Sequence, residues 1–189
     1  MKAQLIGAAL LAATLAACGG KASFVVGGQI SGLNNQGLVL QLDGGNDLPV
    51  AAGATTFSFP GSISYGTEYT VSVKTQPDHM FCSIANPNDS AGRTTSINVV
   101  ISCAQNAYTL GGSVSNLTTD GLIVVNGAGS SLTVVKGATT FTMPGTIPVG
   151  TAYGLSVLVQ PTGQTCTITN GSGVMGDANR TNAAISCTP

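Results

Sequence analysis

The side chains that most often carry catalysis are scarce in this chain. It contains a single histidine, His79, and a single glutamate, Glu68. General acid–base and nucleophilic catalysis need such groups within hydrogen-bond reach of one another. A Ser-His-Asp triad would have to use His79, and a carboxylate pair for glycoside hydrolysis would have to use Glu68 with one of the aspartates. No motif points to a nucleophile, so we expect a non-catalytic protein that uses no cofactor.

Calcium binding is a second kind of chemistry that the residue types allow, at Asp43, Asn46 and Asp47. Calcium takes several carboxylate and amide oxygens at once, and these three residues share a glycine-containing segment. Their spacing is not that of an EF-hand loop, and the chain repeats the segment at 127–131 without retaining any of the three. A polar hairpin turn is therefore the favoured interpretation, with no metal, and a calcium-dependent adhesion module is a less favoured alternative.

The cysteines are predicted to form structural disulfides. Four of the five lie in two pairs with the same spacing of 21 positions, namely Cys82 with Cys103 and Cys166 with Cys187. Four cysteines allow three connectivities, and the repetition of the spacing selects the pairing within each copy. A four-cysteine metal site is disfavoured because no C-x-x-C cluster occurs. Export, which the amino terminus predicts, would favour the oxidised state of these pairs.

The amino terminus has the order of a secretory signal. Lys2 precedes an uncharged, mostly apolar run over 5–17. A basic residue followed by an apolar stretch of about 7–15 residues is typical of a signal peptide. A spanning helix needs about 20 apolar residues, so the run is too short to stay in the membrane as an anchor.

The run ends in Leu15-Ala16-Ala17-Cys18, which resembles the lipobox of bacterial lipoproteins. The resemblance implies that residues 1–17 are a lipoprotein signal peptide and that Cys18 is lipidated with acyl chains such as palmitate. Residues 18–23 would then be a lipidated tether to the membrane. Residue 19 is Gly, not the Asp that retains many such proteins at the inner membrane, so the resemblance favours the outer membrane.

The composition excludes several classes of protein. Charged residues make up 7% of the chain and the net charge is −1, whereas ordinary domains are about 25% charged. Without a basic patch there is no electrostatic footprint for nucleic acid. Disordered chains combine low hydrophobicity with high net charge, which does not describe a chain that is 43% hydrophobic. The 26 glycines are typical of short strands joined by tight turns.

The chain contains two copies of one unit, offset by 84 positions (141 − 57) without a gap. The match is carried by Gly-Ala-Thr-Thr-Phe at 53–57 and 137–141, Gln-Pro at 76–77 and 160–161, and Ile-Ser-Cys at 101–103 and 185–187. A unit of roughly 80 residues is too long for a solenoid repeat and long enough for a small domain. We predict repeat 1 over 24–103, a linker over 104–107 and repeat 2 over 108–189.

Each copy predicts about seven short β-strands, the pattern of an Ig-like β-sandwich. Polar and apolar residues alternate over 68–73, which places Tyr69, Val71 and Val73 on one face. A β-bulge is expected at Gly27-Gly28, and Phe57 is expected in the core. Further strands of the first copy are expected at 24–31, 37–42, 48–51, 55–59, 81–85 and 96–103. The predicted fold is all-β: two tandem Ig-like β-sandwich modules, each with one internal disulfide.

The shared pattern is similar to a β-rich repeat of secreted and lipid-anchored proteins of Gram-negative bacteria. It consists of Gly-Gly-x-Val/Ile-Ser, Gly-Leu-x-Val/Leu, Phe-x-Phe/Met-Pro, Gln-Pro, Cys-x-Ile and Ile-Ser-Cys, and the likeness covers 24–187. The resemblance implies an extracytoplasmic scaffold or binding module and brings no catalytic residue with it.

These observations predict a lipoprotein of the cell envelope, anchored to the membrane through Cys18, that acts as a structural or binding module for a protein or glycan partner. The alternative is a periplasm-facing accessory protein or inhibitor of an envelope enzyme. The sequence does not single out the binding residues.

Overall fold

The computed structural model of the protein describes residues 22–189. Cys18, the signal-like segment and most of the expected tether lie outside these residues. The described part contains strands and no helix, which confirms the predicted all-β fold of two tandem β-sandwich modules. It accordingly contains no helix with the length and hydrophobicity to cross a bilayer.

The first module contains ten strands, three more than predicted, because four of them have only two or three residues. They are β1 (Ser23–Phe24), β2 (Gly27–Ser31), β3 (Val39–Leu42), β4 (Gly45–Pro49), β5 (Thr56–Ser58), β6 (Ile63–Ser64), β7 (Glu68–Thr75), β8 (Met80–Ile84), β9 (Asn88–Ser90) and β10 (Val99–Gln105).

The second module repeats this order. Its strands are β11 (Ala107–Tyr108), β12 (Leu110–Ser115), β13 (Leu122–Asn126), β14 (Ser131–Val134), β15 (Thr140–Thr142), β16 (Ile147–Pro148), β17 (Ala152–Val159), β18 (Thr165–Thr169), β19 (Ser172–Val174) and β20 (Arg180–Thr188).

Each module packs two four-stranded sheets face to face. In the first module the sheets have the orders β5-β2-β10-β8 and β4-β3-β7-β9, and β1 pairs with β6 beside them. The second module has the equivalent orders β15-β12-β20-β18 and β14-β13-β17-β19. Neighbouring strands run antiparallel except for β2 with β10 and β12 with β20, which are parallel. The first and last long strands of each module therefore lie side by side, which closes the module on itself.

The core of each module lies between its two sheets. Leu40, Val99 and Ile101 are fully buried in the first module, and burying an aliphatic side chain of this size contributes about 1.5–3 kcal/mol. Phe57 is also buried, as predicted, and its ring meets the Phe59 ring edge to face at 5.9 Å. The two modules have separate cores, so each has its own source of stability.

The bulge predicted at Gly27-Gly28 is wrong for the first module. Both glycines lie inside β2, and β2 pairs with β10 without a register shift. A Cβ atom on Gly28 would lie 1.8 Å from the carbonyl oxygen of Val99. Glycine is needed here because the neighbouring backbone comes too close for a side chain, not because the strand is interrupted. In the second module the equivalent pairing does shift, between Leu110 and Gly112.

Candidate functional site

The cysteine pairs occupy equivalent places in the two modules. Cys82 lies directly opposite Cys103 in the β8–β10 pair, and Cys166 lies opposite Cys187 in the β18–β20 pair. Both pairs form disulfides, as predicted. Each bridge joins the last strand of its module to the edge strand beside it. These cysteines are structural, because their sulfur atoms are committed to one another.

The Gln-Pro motif of each copy protects the same edge strand. The Gln76 side chain donates from Nε2 to the carbonyl oxygen of Cys82 at 3.1 Å and accepts from the Cys82 N–H at 2.7 Å. Gln160 makes the same two bonds to Cys166, at 3.0 and 2.7 Å. One amide thereby occupies the outward-facing backbone groups that an incoming strand would need. The sequence showed that the motif recurs but not what its glutamine does.

The residues considered for calcium bind protein donors instead. Asp47 accepts hydrogen bonds from Lys74 and, at 2.9 Å, from Gln41. The Lys74 ammonium, and then the Gln41 amide, hold the pKa of the Asp47 carboxyl below its ordinary value. Asp43 accepts the Thr70 backbone N–H at 2.7 Å and, like Asn46, has a positive φ. Within residues 22–189 no three acidic, histidine or cysteine side chains converge as metal ligands. The geometry of this segment is that of a polar hairpin turn.

A polar groove lies beside the β7–β9 edge of the first module. Its volume is about 330 Å³, and it is lined by Glu68, Tyr69, Thr70, Asn88, Asp89, Ser90 and Arg93. The Arg93 guanidinium lies 3.6 Å from the Asp89 carboxylate. Burial, with a smaller contribution from Asp89, raises the pKa of the Tyr69 hydroxyl above its ordinary value. The groove therefore offers two carboxylates, an amide, hydroxyls and a guanidinium to a ligand.

Several polar groups that line the groove of the first module have no equivalent in the second module. The positions equivalent to Glu68, Thr70 and Asp89 are Ala152, Gly154 and Gly173. The scaffold is thus the same in both copies, whereas these three polar side chains are absent from the second. The sequence indicated Glu68 only as a candidate catalytic group, because the pairing of β7 with the three-residue strand β9 leaves no sequence pattern.

An exposed aromatic ring stands next to this groove. Tyr65 is 69% exposed, and its ring lies against Gly92, where a Cβ atom would come within 2.3 Å of the ring. Gly92 has a positive φ and immediately precedes the groove residue Arg93. A side chain at position 92 would overlap the Tyr65 ring, so the glycine allows the ring to approach the backbone while most of the tyrosine stays exposed.

His79 lies at the junction between the modules. Its Nδ1 atom is 2.8 Å from the carboxylate of Asp177 in the second module. This contact, and secondly the charge of Asp177, raises the pKa of the His79 imidazole above its ordinary value. Asn106, the single residue between β10 and β11, donates its N–H to the His79 carbonyl and accepts from the Val149 N–H. The single histidine therefore makes one of the side-chain contacts between the two modules, beside the backbone hydrogen bonds of Asn106.

Comparisons with known proteins add little to this picture. No protein-family model matches the chain. No curated protein matches it either. Among solved structures it is similar to the T-13 major pilin of Streptococcus pyogenes, with 12% identity and a TM-score of 0.27 over 89% of this chain and 95% of that one. The T3.2 major pilin of the same species gives 11% identity and a TM-score of 0.26 over 88% and 96%. TM-scores this low do not establish a common fold.

Proposed function

We infer that this protein is a lipid-anchored, non-catalytic binding module of the bacterial cell envelope. The lipobox-like Leu15-Ala16-Ala17-Cys18 supports the anchor. The within-module disulfides support export, because such bonds form and persist in oxidising compartments. The outer membrane is the favoured location, since residue 19 is not Asp.

The polar groove of the first module is the observation that carries the binding role. It combines the Glu68 and Asp89 carboxylates, the Asn88 amide and the Arg93 guanidinium in one open space. Groups of this kind hydrogen-bond a hydroxyl-rich ligand, and Glu68, Asn88 and Asp89 are positioned by strands β7 and β9. The exposed Tyr65 ring adds a flat apolar face of the sort that packs on a sugar ring. We therefore assign the groove to a glycan segment.

The anchor is tested by metabolic labelling of cells that express the full chain with a tagged fatty acid. The wild type should carry the label and sediment with the outer membrane. Cys18→Ser should lose both the label and the membrane association, while Cys82→Ser serves as the control that keeps them. An unlabelled wild-type chain would contradict the anchor.

The side of the membrane is tested by adding protease to intact cells. Cleavage of the mature chain while periplasmic marker proteins survive supports a surface binding module. Protection until the outer membrane is breached would instead support the alternative of a periplasmic accessory or inhibitor.

The groove is tested by titrating the full chain with fragments of envelope and host glycans while its backbone amide resonances are recorded. We expect shifts confined to 65–70 and 88–93, and we expect Asp89→Asn with Arg93→Ala to weaken binding at least tenfold. Ser172→Ala, at the equivalent edge of the second module, is the matched control and should change nothing. Shifts elsewhere, or unaltered binding by the groove variant, would contradict the assignment.

A further inference from the structure

The edge strand β14 of the second module has backbone groups that point away from its sheet. Asn126 donates its N–H to the Ser130 carbonyl at 3.0 Å, which marks Asn126 and Ser130 as a hydrogen-bonded pair. Such pairs alternate along an antiparallel ladder. The pairing of Val125 with Ser131 and of Ile123 with Thr133 therefore leaves the N–H and C=O groups of Ser131 and Thr133 directed outward. β14 is an end strand of its sheet, so these groups face solvent.

The equivalent edge of the first module is closed. Pro49 stands at the position of Thr133 and has no N–H to offer at the outward-facing position. Asp47, at the position of Ser131, holds a charged network with Gln41 and Lys74 across the outer face of the sheet. Proline and charge are the two devices by which natural edge strands avoid pairing with other chains.

The second module has neither the proline nor the charged network. Val125, Ser131 and Leu158 replace Gln41, Asp47 and Lys74, and Thr133 replaces Pro49. Leu158 is 61% exposed and Val135, directly after β14, is 65% exposed. A hydrogen-bonding edge and an apolar outer face are therefore combined on one side of the module.

We propose that β14 pairs antiparallel with β14 of a second copy of this chain, about a two-fold axis at Thr133. The two Thr133 residues would exchange N–H···O=C bonds, and Ser131 of each copy would lie opposite Val135 of the other. Threonine pairs across strands are favourable, and like charges directly opposite are not. Residues 131–135 carry no charge, and Lys136 already lies 3.5 Å from Asp120 of its own chain. The segment is thus complementary to itself.

The size of this surface sets the strength of the pairing. A single strand edge with its flanking side chains is smaller than the roughly 800 Å² per partner of stable interfaces. The association is therefore weak and depends on concentration. It would be favoured wherever copies are crowded on one membrane, because tethering raises the effective concentration. This surface is distant in sequence from the glycan groove, and its test does not depend on that assignment.

The test is sedimentation of the full chain in detergent over roughly 10 µM to 1 mM, the range in which small interfaces associate. For the wild type, the number of protein copies per complex should rise from one towards two as the concentration increases. Thr133→Pro, which introduces the proline that the first module has at this position, should remain monomeric. Pro49→Thr makes the opposite change in the first module and leaves Thr133 in place, so it serves as the control. Thr133→Lys gives a second disruptive variant by placing two like charges opposite each other.

The register is tested with a nitroxide label on Lys136→Cys. Lys136 lies three positions from Thr133, just beyond the end of β14, so two-fold pairing with an extended backbone over 133–136 would place the two labelled Cα atoms roughly 20 Å apart. A distance near this value that disappears in Thr133→Pro supports the proposal. A wild type that stays monomeric, association that Thr133→Pro and Thr133→Lys do not alter, or a label distance far from this value would overturn it. A monomer whose β14 instead recruits a foreign strand would also overturn it.

Discussion

The side-chain amide of Gln76 brackets the backbone of Cys82, donating to its carbonyl oxygen and accepting from its N–H. The same relationship joins Gln160 to Cys166. The glutamine acts as a one-residue substitute for a neighbouring strand at the edge of the sheet. It also explains why Gln-Pro recurs in both copies, because the proline makes the turn that brings the glutamine back to the strand.

Replacement of Gln76 should lower the stability of the first module and expose the backbone edge of β8. We expect Gln76→Ala to reduce the free energy of unfolding of the first module by about 1 kcal/mol, since water replaces part of what is lost. Gln76→Glu should cost at least as much, because a carboxylate cannot donate to the Cys82 carbonyl. Urea unfolding measures both variants. The exposed Gln29 provides the control through Gln29→Ala, and equal effects of Gln29→Ala and Gln76→Ala would contradict a specific role.

The disulfides should contribute strongly to the stability of each module. Removing one by Cys82→Ala with Cys103→Ala opens a loop of 21 residues, which the chain-entropy model values at roughly 3 kcal/mol. Denaturant unfolding should show a loss of this size in the first module, with the second module unchanged. Cys166→Ala with Cys187→Ala should reverse the pattern. A loss below about 1 kcal/mol in either module would show that the other contacts suffice.

Gly28 and Gly112, the second glycines of Gly27-Gly28 and Gly111-Gly112, should not tolerate a side chain. A Cβ atom on Gly28 would meet the Val99 carbonyl oxygen at 1.8 Å, and one on Gly112 would meet the Ala183 carbonyl oxygen at the same distance. Because backbone must move, we expect Gly28→Ala to cost about 3 kcal/mol or more in the free energy of unfolding. Gly45→Ala is the matched control, since Gly45 has open space around it and no positive φ. Thermal unfolding that shows no difference between the two variants would refute the close approach.

The junction between the modules should depend on pH through His79. Its pKa is raised because the protonated imidazole pairs with Asp177. A group whose folded-state pKa is raised adds stability below its ordinary pKa, and that contribution is lost as the pH rises through the raised value. The two modules should therefore be held together more firmly in mildly acidic solution than at alkaline pH.

This pH dependence is measured by following the imidazole resonance of the single histidine. We expect Asp177→Asn to move the His79 pKa down towards the ordinary value of about 6.5. Asp120→Asn, a carboxylate paired with Lys136 in the second module, is the control and should leave the His79 pKa unchanged. An unaltered pKa in Asp177→Asn would mean that the two side chains do not interact in solution.

Local patterns predicted much of the fold. The repeat predicted two modules, the equal cysteine spacing predicted both disulfides, and the alternation over 68–73 placed Tyr69 and Val71 correctly in the core. These features could be predicted because each depends on residues close in sequence or on the internal repetition.

The remaining features depend on contacts between distant residues. Strand β9 consists of Asn, Asp and Ser, residue types that are typical of loops. It forms a strand only by pairing with β7. His79 and Asp177 are 98 residues apart, and the Asp177 position is occupied by Arg93 in the first copy, so the repeat gave no signal for their contact. The bulge predicted at Gly27-Gly28 is wrong because the close approach of β10 is a property of the sheet, not of the segment.

We expect the chain to be processed and anchored at Cys18, which the mass of the mature protein would show. The protein is extracted with detergent from the envelope of cells that express the full chain, and its intact mass and amino-terminal fragment are measured. We expect loss of residues 1–17 and an amino-terminal Cys18 that carries acyl chains. A chain that keeps residues 1–17, or that is cleaved elsewhere with an unmodified Cys18, would contradict the account.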